Sequence, residues 1–265
     1  MTGLLLAAVL VTNVTWQDAA RHREIPAKIY APAEVPKPVP VIIFSHGLGG
    51  TRDGYEYLGR HWAEHGYISV HLQHHGSDRA ALWDNRPQEI ALDPANWRNR
   101  ALDVRYAIDQ MVRDSRVNTN AIGMAGHSFG AQTTLVVIGQ RVAGQSLADP
   151  RVKAAIALSS PRPVSGEAFR DVRTPCLHLT GTKDDSPIFH ITAKDRRFAF
   201  DHIRASPQFL ISLPDATHMT FAGIGQADHL HIICEATTEF WDAFLKGDKA
   251  AGAKLLQTPA VVEAK

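Results

Sequence analysis

The sequence has few cysteines, almost no net charge and no basic or acidic stripe. Its 265 residues include two cysteines, and 28 lysines and arginines balance 27 aspartates and glutamates. Two cysteines do not make a disulfide framework, and we expect Cys176 and Cys234 to be buried thiols because both lie in apolar or helical stretches. Charge of mixed sign along the whole chain indicates no nucleic-acid partner.

Long apolar runs are also missing. The run LLLAAVLV, residues 4–11, is too short to span a bilayer. No Lys or Arg precedes it and no clear cleavage site follows, which argues against a secretory signal and favours an N-terminal strand, with residues 1–8 as a possible extension. We expect a soluble protein without stable membrane insertion, and the sequence does not decide between a cytoplasmic and an exported location.

The 45% hydrophobic content is enough for one large core, so we interpret residues 1–265 as one domain with a short tail at 257–265. Apolar runs typical of buried strands alternate with helical patterns. The runs cover residues 39–47, 67–73, 121–126, 152–160, 174–181 and 209–214, and the helical patterns cover 55–65, 97–113, 130–140 and 230–246. This order predicts an α/β fold with a mostly parallel central sheet, helices on both faces and functional groups at the carboxyl ends of the strands.

The segment AGHSFGA, residues 125–131, follows one predicted strand and precedes a predicted helix. In this context the pattern G-x-S-x-G indicates a tight turn that presents Ser128 as a nucleophile. Gly126 and Gly130 leave room where the turn brings backbone against backbone. The alternative is that Ser128 only caps the helix.

A nucleophilic serine needs a base and a group that orients the base. In folds of this kind the acid precedes the histidine along the chain. His218 follows the strand FLISLP and is the predicted base. Asp184 and Asp185 follow the strand TPCLHLTG. The spacing Gly-x-x-Asp favours Asp184 as the acid, whereas Asp185 is the alternative acid or a turn carboxylate.

Acyl transfer also requires hydrogen-bond donors for an oxyanion. FSHGLGG, residues 44–50, leaves a strand into a glycine-rich turn, where a donor of this kind is expected. We assign the backbone amides of Leu48 and Phe129 to this role. The alternative is that the glycine-rich segment is only a tight loop.

The motifs SHGLGG, GHSFGA, TGTKDDSPI and DATHMTF resemble, in this order, the α/β-hydrolase family that contains platelet-activating-factor acetylhydrolases and serine-dependent relatives of dienelactone hydrolase. The resemblance covers residues 15–256. It implies a calcium-independent serine esterase that acts on short or oxidised acyl groups. The positions that match the family's triad and oxyanion donors are Ser128, Asp184, His218, Leu48 and Phe129.

Two features limit what the resemblance implies. Dienelactone hydrolase proper uses a cysteine nucleophile where this chain has serine, and no long apolar helix suited to lipoprotein docking is present. The sequence therefore predicts a serine esterase for a small-molecule ester, with short acyl groups favoured and no cofactor. It leaves the oligomeric state and the physiological ester undetermined. A cutinase-like polyester hydrolase and a non-catalytic binding module are the alternatives.

Two further segments bear on the site. His71, His74, His75 and Asp78 could bind a metal, but their spacing matches no known ligand motif, and we predict no metal in the site. The segment 79–96 is long enough to cover part of the sheet edge and to line an acyl pocket. Since residues 161–173 are too few for a large cap domain, we predict an open cleft.

Overall fold

The computed structural model describes residues 8–163 and 165–265. Its strands, β1 to β9, are Val9–Asp18, Arg23–Pro32, Val39–Ser45, Ile68–Leu72, Val117–His127, Val152–Leu158, Cys176–Lys183, Gln208–Thr217 and Val261–Ala264. Its α-helices, α1 to α8, are Glu56–Glu64, Ala81–Asp84, Pro87–Leu92, Pro94–Met111, Phe129–Val137, Phe198–His202, Ala227–Leu245 and Lys249–Leu255. Short 3₁₀ turns cover Gly166–Phe169, Pro187–Phe189, Ala193–Arg197 and His218–Ala222.

All nine strands form one sheet in the order β1-β2-β4-β3-β5-β6-β7-β8-β9. The six strands from β4 to β8 in this order run parallel to one another. Antiparallel pairs add β1 and β2 at one edge and β9 at the other. The predicted mostly parallel sheet is confirmed, and the carboxyl ends of its parallel strands meet at one rim.

Two apolar layers enclose the sheet because successive strand residues point to opposite faces. In β3, Val41 and Ile43 join the layer beneath α4 and α5. Ile42 and Phe44 join the opposite layer, beneath α1 and α7. The helices therefore cover both faces, as the alternation of strand and helix predicted. No helix in the described part of the chain is both apolar enough and long enough to traverse a lipid bilayer.

Some predicted boundaries differ from the structure. Residues 257–265, predicted to be a tail, contribute β9, whose Val262 pairs with Ile211 of β8. The segment 79–96, for which no secondary structure was predicted, forms α2, α3 and the start of α4. Residues 1–7, most of the possible N-terminal extension, lie outside the described residues. Both cysteines are free and buried, as predicted.

Candidate active site

Ser128 lies in the turn between β5 and α5, with φ 54° and ψ −115°. This is a sparsely populated conformation for a residue with a side chain, and it is held by the packing around it. The Ser128 amide donates to the Leu158 carbonyl at the end of β6 (2.9 Å). A Cβ on Gly130 would overlap the Ser45 carbonyl at the end of β3, and a Cβ on Gly126 would overlap Gly130 itself. Glycine at these positions therefore lets the turn sit against the neighbouring strand ends.

His218 lies directly after β8 and bridges the other two predicted site residues. Its Nε2 is 3.0 Å from Ser128 Oγ, and its Nδ1 is 2.9 Å from Asp184 Oδ1. Asp184, directly after β7, is completely buried, whereas the His218 side chain is 21% exposed. Three strand ends thus bring a hydroxyl, an imidazole and a carboxylate into one hydrogen-bonded line.

The structure separates the two candidate acids. Asp185 is exposed, and its Oδ1 accepts a hydrogen bond from the Ala193 amide (2.8 Å). It is therefore a turn carboxylate, the alternative role considered for it. Asp184 is the carboxylate that contacts His218.

Three side chains that the sequence analysis missed hold the Asp184 carboxylate. Ser159 Oγ donates to Oδ1 (2.7 Å) and Thr180 Oγ1 donates to Oδ2 (2.9 Å). The buried Arg196 guanidinium forms an ion pair with Oδ1 (3.2 Å), and burial lowers the pKa of this arginine. Ser159 directly follows β6 and has a φ of 56°. Its place as a polar residue just after a parallel strand was the signal that the sequence offered. Arg196 lies in a 3₁₀ turn for which the sequence offered no comparable signal.

The hydrogen bonds around His218 Nδ1 bear on its tautomer. Besides Asp184, Ser159 Oγ (2.6 Å) and Arg196 Nη2 (3.1 Å) lie near this nitrogen. Arginine can only donate, so a proton on Nδ1 is incompatible with a hydrogen bond from Arg196. We assign the proton to Nδ1, where the Asp184 carboxylate accepts it, because Arg196 has the Ser159 and Ser160 carbonyls as other acceptors. This assignment leaves the Nε2 lone pair facing Ser128.

Leu48 and Phe129, whose amides are the predicted oxyanion donors, follow the ends of the paired strands β3 and β5. For this predicted role we call residues 46–50 the oxyanion turn. Leu48 lies in the turn after β3, and Phe129 is the first residue of α5, where a helix leaves its N–H groups without intrahelical acceptors. Among the described residues, neither amide has a hydrogen-bond acceptor. Both are therefore available to a developing oxyanion.

A buried arginine contacts both segments that carry these two amides. Arg100 of α4 is fully buried, and its guanidinium carbon lies 4.5 Å from the centroid of the Phe129 ring. It donates to the His46 carbonyl and to Ser45 Oγ (2.9 Å), where the oxyanion turn begins. Burial lowers the pKa of Arg100 to about 9, and the charge of Asp103 partly opposes this shift.

A second polar chain joins the oxyanion turn to the backbone of His218. The Gly47 amide donates to Tyr55 Oη (3.1 Å), which lies 2.8 Å from His127 Nδ1. His127 Nε2 lies 3.1 Å from the His218 carbonyl. One neutral tautomer satisfies every contact, because Nε2–H donates to the carbonyl and Nδ1 accepts from the tyrosine. Burial lowers the pKa of His127 well below its usual value, which is consistent with that neutral form.

The segment 79–96 contacts two of the loops that follow parallel strands. The Leu82 side chain of α2 packs over Gly49 of the oxyanion turn, which has a φ of 72°. Gln88 Nε2 of α3 donates to the carbonyl of Ile188 (3.2 Å), in the 3₁₀ turn that follows Asp184 and Asp185. The two contacts tie this segment to both the oxyanion side and the acid side of the rim.

The histidines of segment 71–78 have separate hydrogen-bond partners. His71 lies near Ser69 Oγ (3.0 Å) and the Gly54 carbonyl. His74 lies between Ser45 Oγ (2.8 Å) and Asp103 Oδ2 (3.0 Å), while His75 contacts Asp78 (3.2 Å). These imidazoles do not converge on one point. His74 contacts the same Ser45 hydroxyl that Arg100 contacts.

Comparison with known proteins finds a matching family model and several similar proteins of one name. A family model described as "Platelet-activating factor acetylhydrolase, isoform II" matches residues 2–96. The platelet-activating factor acetylhydrolase of Cavia porcellus is 23% identical over 175 residues, which are 51% of this chain and 38% of that protein. The protein of the same name from Canis lupus familiaris is 24% identical over 241 residues, which are 74% of this chain and 51% of that protein. The chain resembles platelet-activating factor acetylhydrolases.

The resemblance predicted from the sequence motifs is thus confirmed, and the chain has the α/β-hydrolase fold. The chain spans about two fifths to one half of the length of these relatives. The family match at residues 2–96 includes the oxyanion turn at Leu48 but ends before Ser128. The family match therefore carries no information on Ser128, Asp184 and His218.

Proposed function

We propose that this chain is a serine hydrolase that cleaves carboxylic esters through an acyl-enzyme. The observation that carries this proposal is the continuous hydrogen-bonded line from Asp184 through His218 to Ser128, with contacts of 2.9 and 3.0 Å. In this line the imidazole can accept the serine proton while the carboxylate stabilises the resulting cation. The similarity to platelet-activating factor acetylhydrolases supports the same class of reaction.

In the first half of the reaction, Ser128 Oγ attacks the ester carbonyl carbon as its proton passes to His218 Nε2. The carbonyl π pair moves onto oxygen, where the amides of Leu48 and Phe129 donate to it. The tetrahedral intermediate then collapses. The C–O bond to the alcohol breaks, and His218 returns the proton to the departing alkoxide.

In the second half, water replaces the alcohol. His218 Nε2 removes a proton from the water as it attacks the acyl carbon, and the second tetrahedral intermediate expels Ser128. The proton returns to Oγ and the carboxylic acid leaves. Each proton is accounted for by His218, so this sequence of steps needs no further cofactor.

We propose small esters with short acyl groups as substrates. Apolar side chains lie exposed next to the site residues in the chain, including Met219 beside His218 and Ile188 close after Asp184. Trp83 is 80% exposed beside Leu82, which packs over the oxyanion turn. Such a rim favours an apolar ester over a charged one. The names of the similar proteins favour acetyl groups.

A series of p-nitrophenyl esters from acetate to laurate tests the proposal, run beside a short-acyl phospholipid and a soluble polyester fragment. The expected result is the highest kcat/KM for acetate and loss of turnover in Ser128→Ala. A preference for the polyester fragment would favour the cutinase-like alternative. No turnover of any ester by the folded wild-type chain would favour a binding module.

A further inference from the structure

A cluster of nitrogen and oxygen ligands lies away from the active site, between α1 and α7. His61 is in the last turn of α1, His65 is the residue that ends this helix, and Glu235 lies on α7. One ligand atom from each lies within 4.8 Å of the other two. Neither the sequence motifs nor the ester chemistry gives these three residues a role.

The two imidazoles are arranged as neighbours on one side of the helix, because residues four apart share a face. Their rings stack with centroids 4.1 Å apart. His65 Nδ1 donates to the His61 carbonyl (2.7 Å), which fixes its tautomer and leaves the Nε2 lone pair free. A backbone carbonyl that orients an imidazole in this way is a common outer contact of metal-bound histidine.

His61 supplies a second, independent observation. Its Nε2 is buried and has no hydrogen-bond partner among the described residues. Buried polar atoms nearly always have a partner, so an orphaned nitrogen calls for a physical explanation. The closest charged group to this nitrogen in the cluster is Glu235 Oε1 at 3.7 Å, which is too far for a hydrogen bond.

We propose that His61, His65 and Glu235 form a binding site for a divalent transition metal, with Zn²⁺ as the best match. Two imidazole nitrogens and one carboxylate oxygen suit zinc and its neighbours better than calcium or magnesium, which prefer oxygen ligands. Zinc bonds of about 2.0–2.2 Å require tetrahedral ligand atoms roughly 3.3–3.6 Å apart. The 3.7 Å contact is close to that spacing, and Glu235 can close the remaining gap because its side chain is 49% exposed.

The two helices that carry the ligands are firmly packed against each other. Trp62 Nε1 donates to Thr237 Oγ1 (3.0 Å), and the Trp62 and Trp241 rings meet edge to face with centroids 6.0 Å apart. The site is thus preorganised on rigid elements. His231, one turn before Glu235, is exposed and available as a fourth ligand. A bound ion would join the helix that follows the oxyanion turn to the helix that follows His218.

Isothermal titration of the tag-free full chain with Zn²⁺ tests the proposal and does not depend on the proposed esterase activity. We expect one ion per chain, and a thermal midpoint that rises with added Zn²⁺. His65→Gln and Glu235→Gln alter side chains that are partly or largely exposed, so both variants should fold. Each should weaken zinc binding by at least the roughly 10- to 100-fold that loss of an outer-shell partner typically causes.

His229→Ala is the matched control, since it removes a histidine from α7 outside the cluster. It should bind Zn²⁺ as the wild type does. The proposal is wrong if the wild type takes up no stoichiometric Zn²⁺. It is equally wrong if His65→Gln and Glu235→Gln bind Zn²⁺ as tightly as His229→Ala, because another site would then hold the ion.

Discussion

The Arg100 guanidinium stacks on the ring of Phe129, with its central carbon 4.5 Å from the ring centroid, while it donates to the His46 carbonyl. One fully buried cation thereby contacts both segments that carry the proposed oxyanion donors, the turn after β3 and the start of α5. A cation behind two backbone amides fixes their positions and adds positive potential where negative charge develops.

Replacing Arg100 with methionine should impair both activity and stability. We expect kcat to fall by up to about 100-fold with a smaller change in KM, because misplaced oxyanion donors act mainly in the transition state. Each buried acceptor left without a partner should lower the free energy of unfolding by about 1–3 kcal/mol. Ester kinetics and urea unfolding measure the two effects. Arg98→Met, an exposed position on the same helix, should change neither, and equal effects of the two variants would contradict this role.

Asp184 and Asp185 are adjacent, so substitution of each in turn tests which carboxylate orients His218. Asp184→Asn should lower kcat by about 10⁴-fold, because an amide in that place favours the wrong tautomer of His218. Asp185→Asn should leave kcat within a few-fold, since its carboxylate is exposed and accepts from the Ala193 amide. Steady-state kinetics of both variants on one ester measures the two values of kcat. Equal losses in the two variants would show that the geometry at His218 does not determine the acid.

Replacing Gly130 and replacing Gly252 with alanine should change the free energy of unfolding in opposite directions. A Cβ on Gly130 would overlap the Ser45 carbonyl, so Gly130→Ala should lower the free energy of unfolding by more than about 3 kcal/mol. Gly252 lies inside α8, where a Cβ would meet Ala243 at an ordinary 3.7 Å. Gly252→Ala should therefore stabilise the chain by about 0.5–1 kcal/mol. Urea denaturation compares them, and a mild effect at Gly130 would mean that the turn can shift away from β3.

Buried neutral histidines should make the fold sensitive to mild acid. Burial lowers the pKa of His71, His74 and His178 to about 4 each, whereas an unfolded histidine titrates near 6.5. Below pH 6.5 these histidines are protonated in the unfolded chain but remain neutral in the folded chain. The free energy of unfolding therefore falls as pH drops from 6.5 towards 4. Each group should contribute a loss of roughly 1–2 kcal/mol between pH 7 and pH 5.

Urea unfolding at pH 7 and pH 5 measures this loss. His71→Gln should show a smaller difference between the two pH values than the wild type, because one titrating group is gone. The pKa of Asp103 is lowered to about 2, so its protonation falls outside this window. A free energy of unfolding that is the same at both pH values would contradict the neutral, buried state of these histidines.

The sequence predicted the parts of the site that local patterns encode. Ser128 lies between two glycines that the strand-to-helix turn requires, and His218 follows an apolar strand, so their place at the rim could be inferred from the chain alone. The residues that hold these side chains in place could not be inferred in this way. Arg100 lies on the apolar face of α4, four residues before Val104, so helical spacing places it toward the core, but spacing alone does not show that a charged side chain there is buried. Arg196 lies in a short 3₁₀ turn, and only tertiary packing brings it to Asp184. The edge strand β9 was missed because its four residues acquire their pairing only from β8.

Ser128 should be a reactive nucleophile that His218 activates. Incubation with a fluorophosphonate, followed by proteolysis and mass spectrometry, tests it most directly. We expect one adduct per chain, located on the peptide that contains Ser128, with no adduct in Ser128→Ala and strongly slowed labelling in His218→Ala. A folded wild-type chain that stays unlabelled, or an adduct on a different serine, would show that Ser128 is not the activated nucleophile.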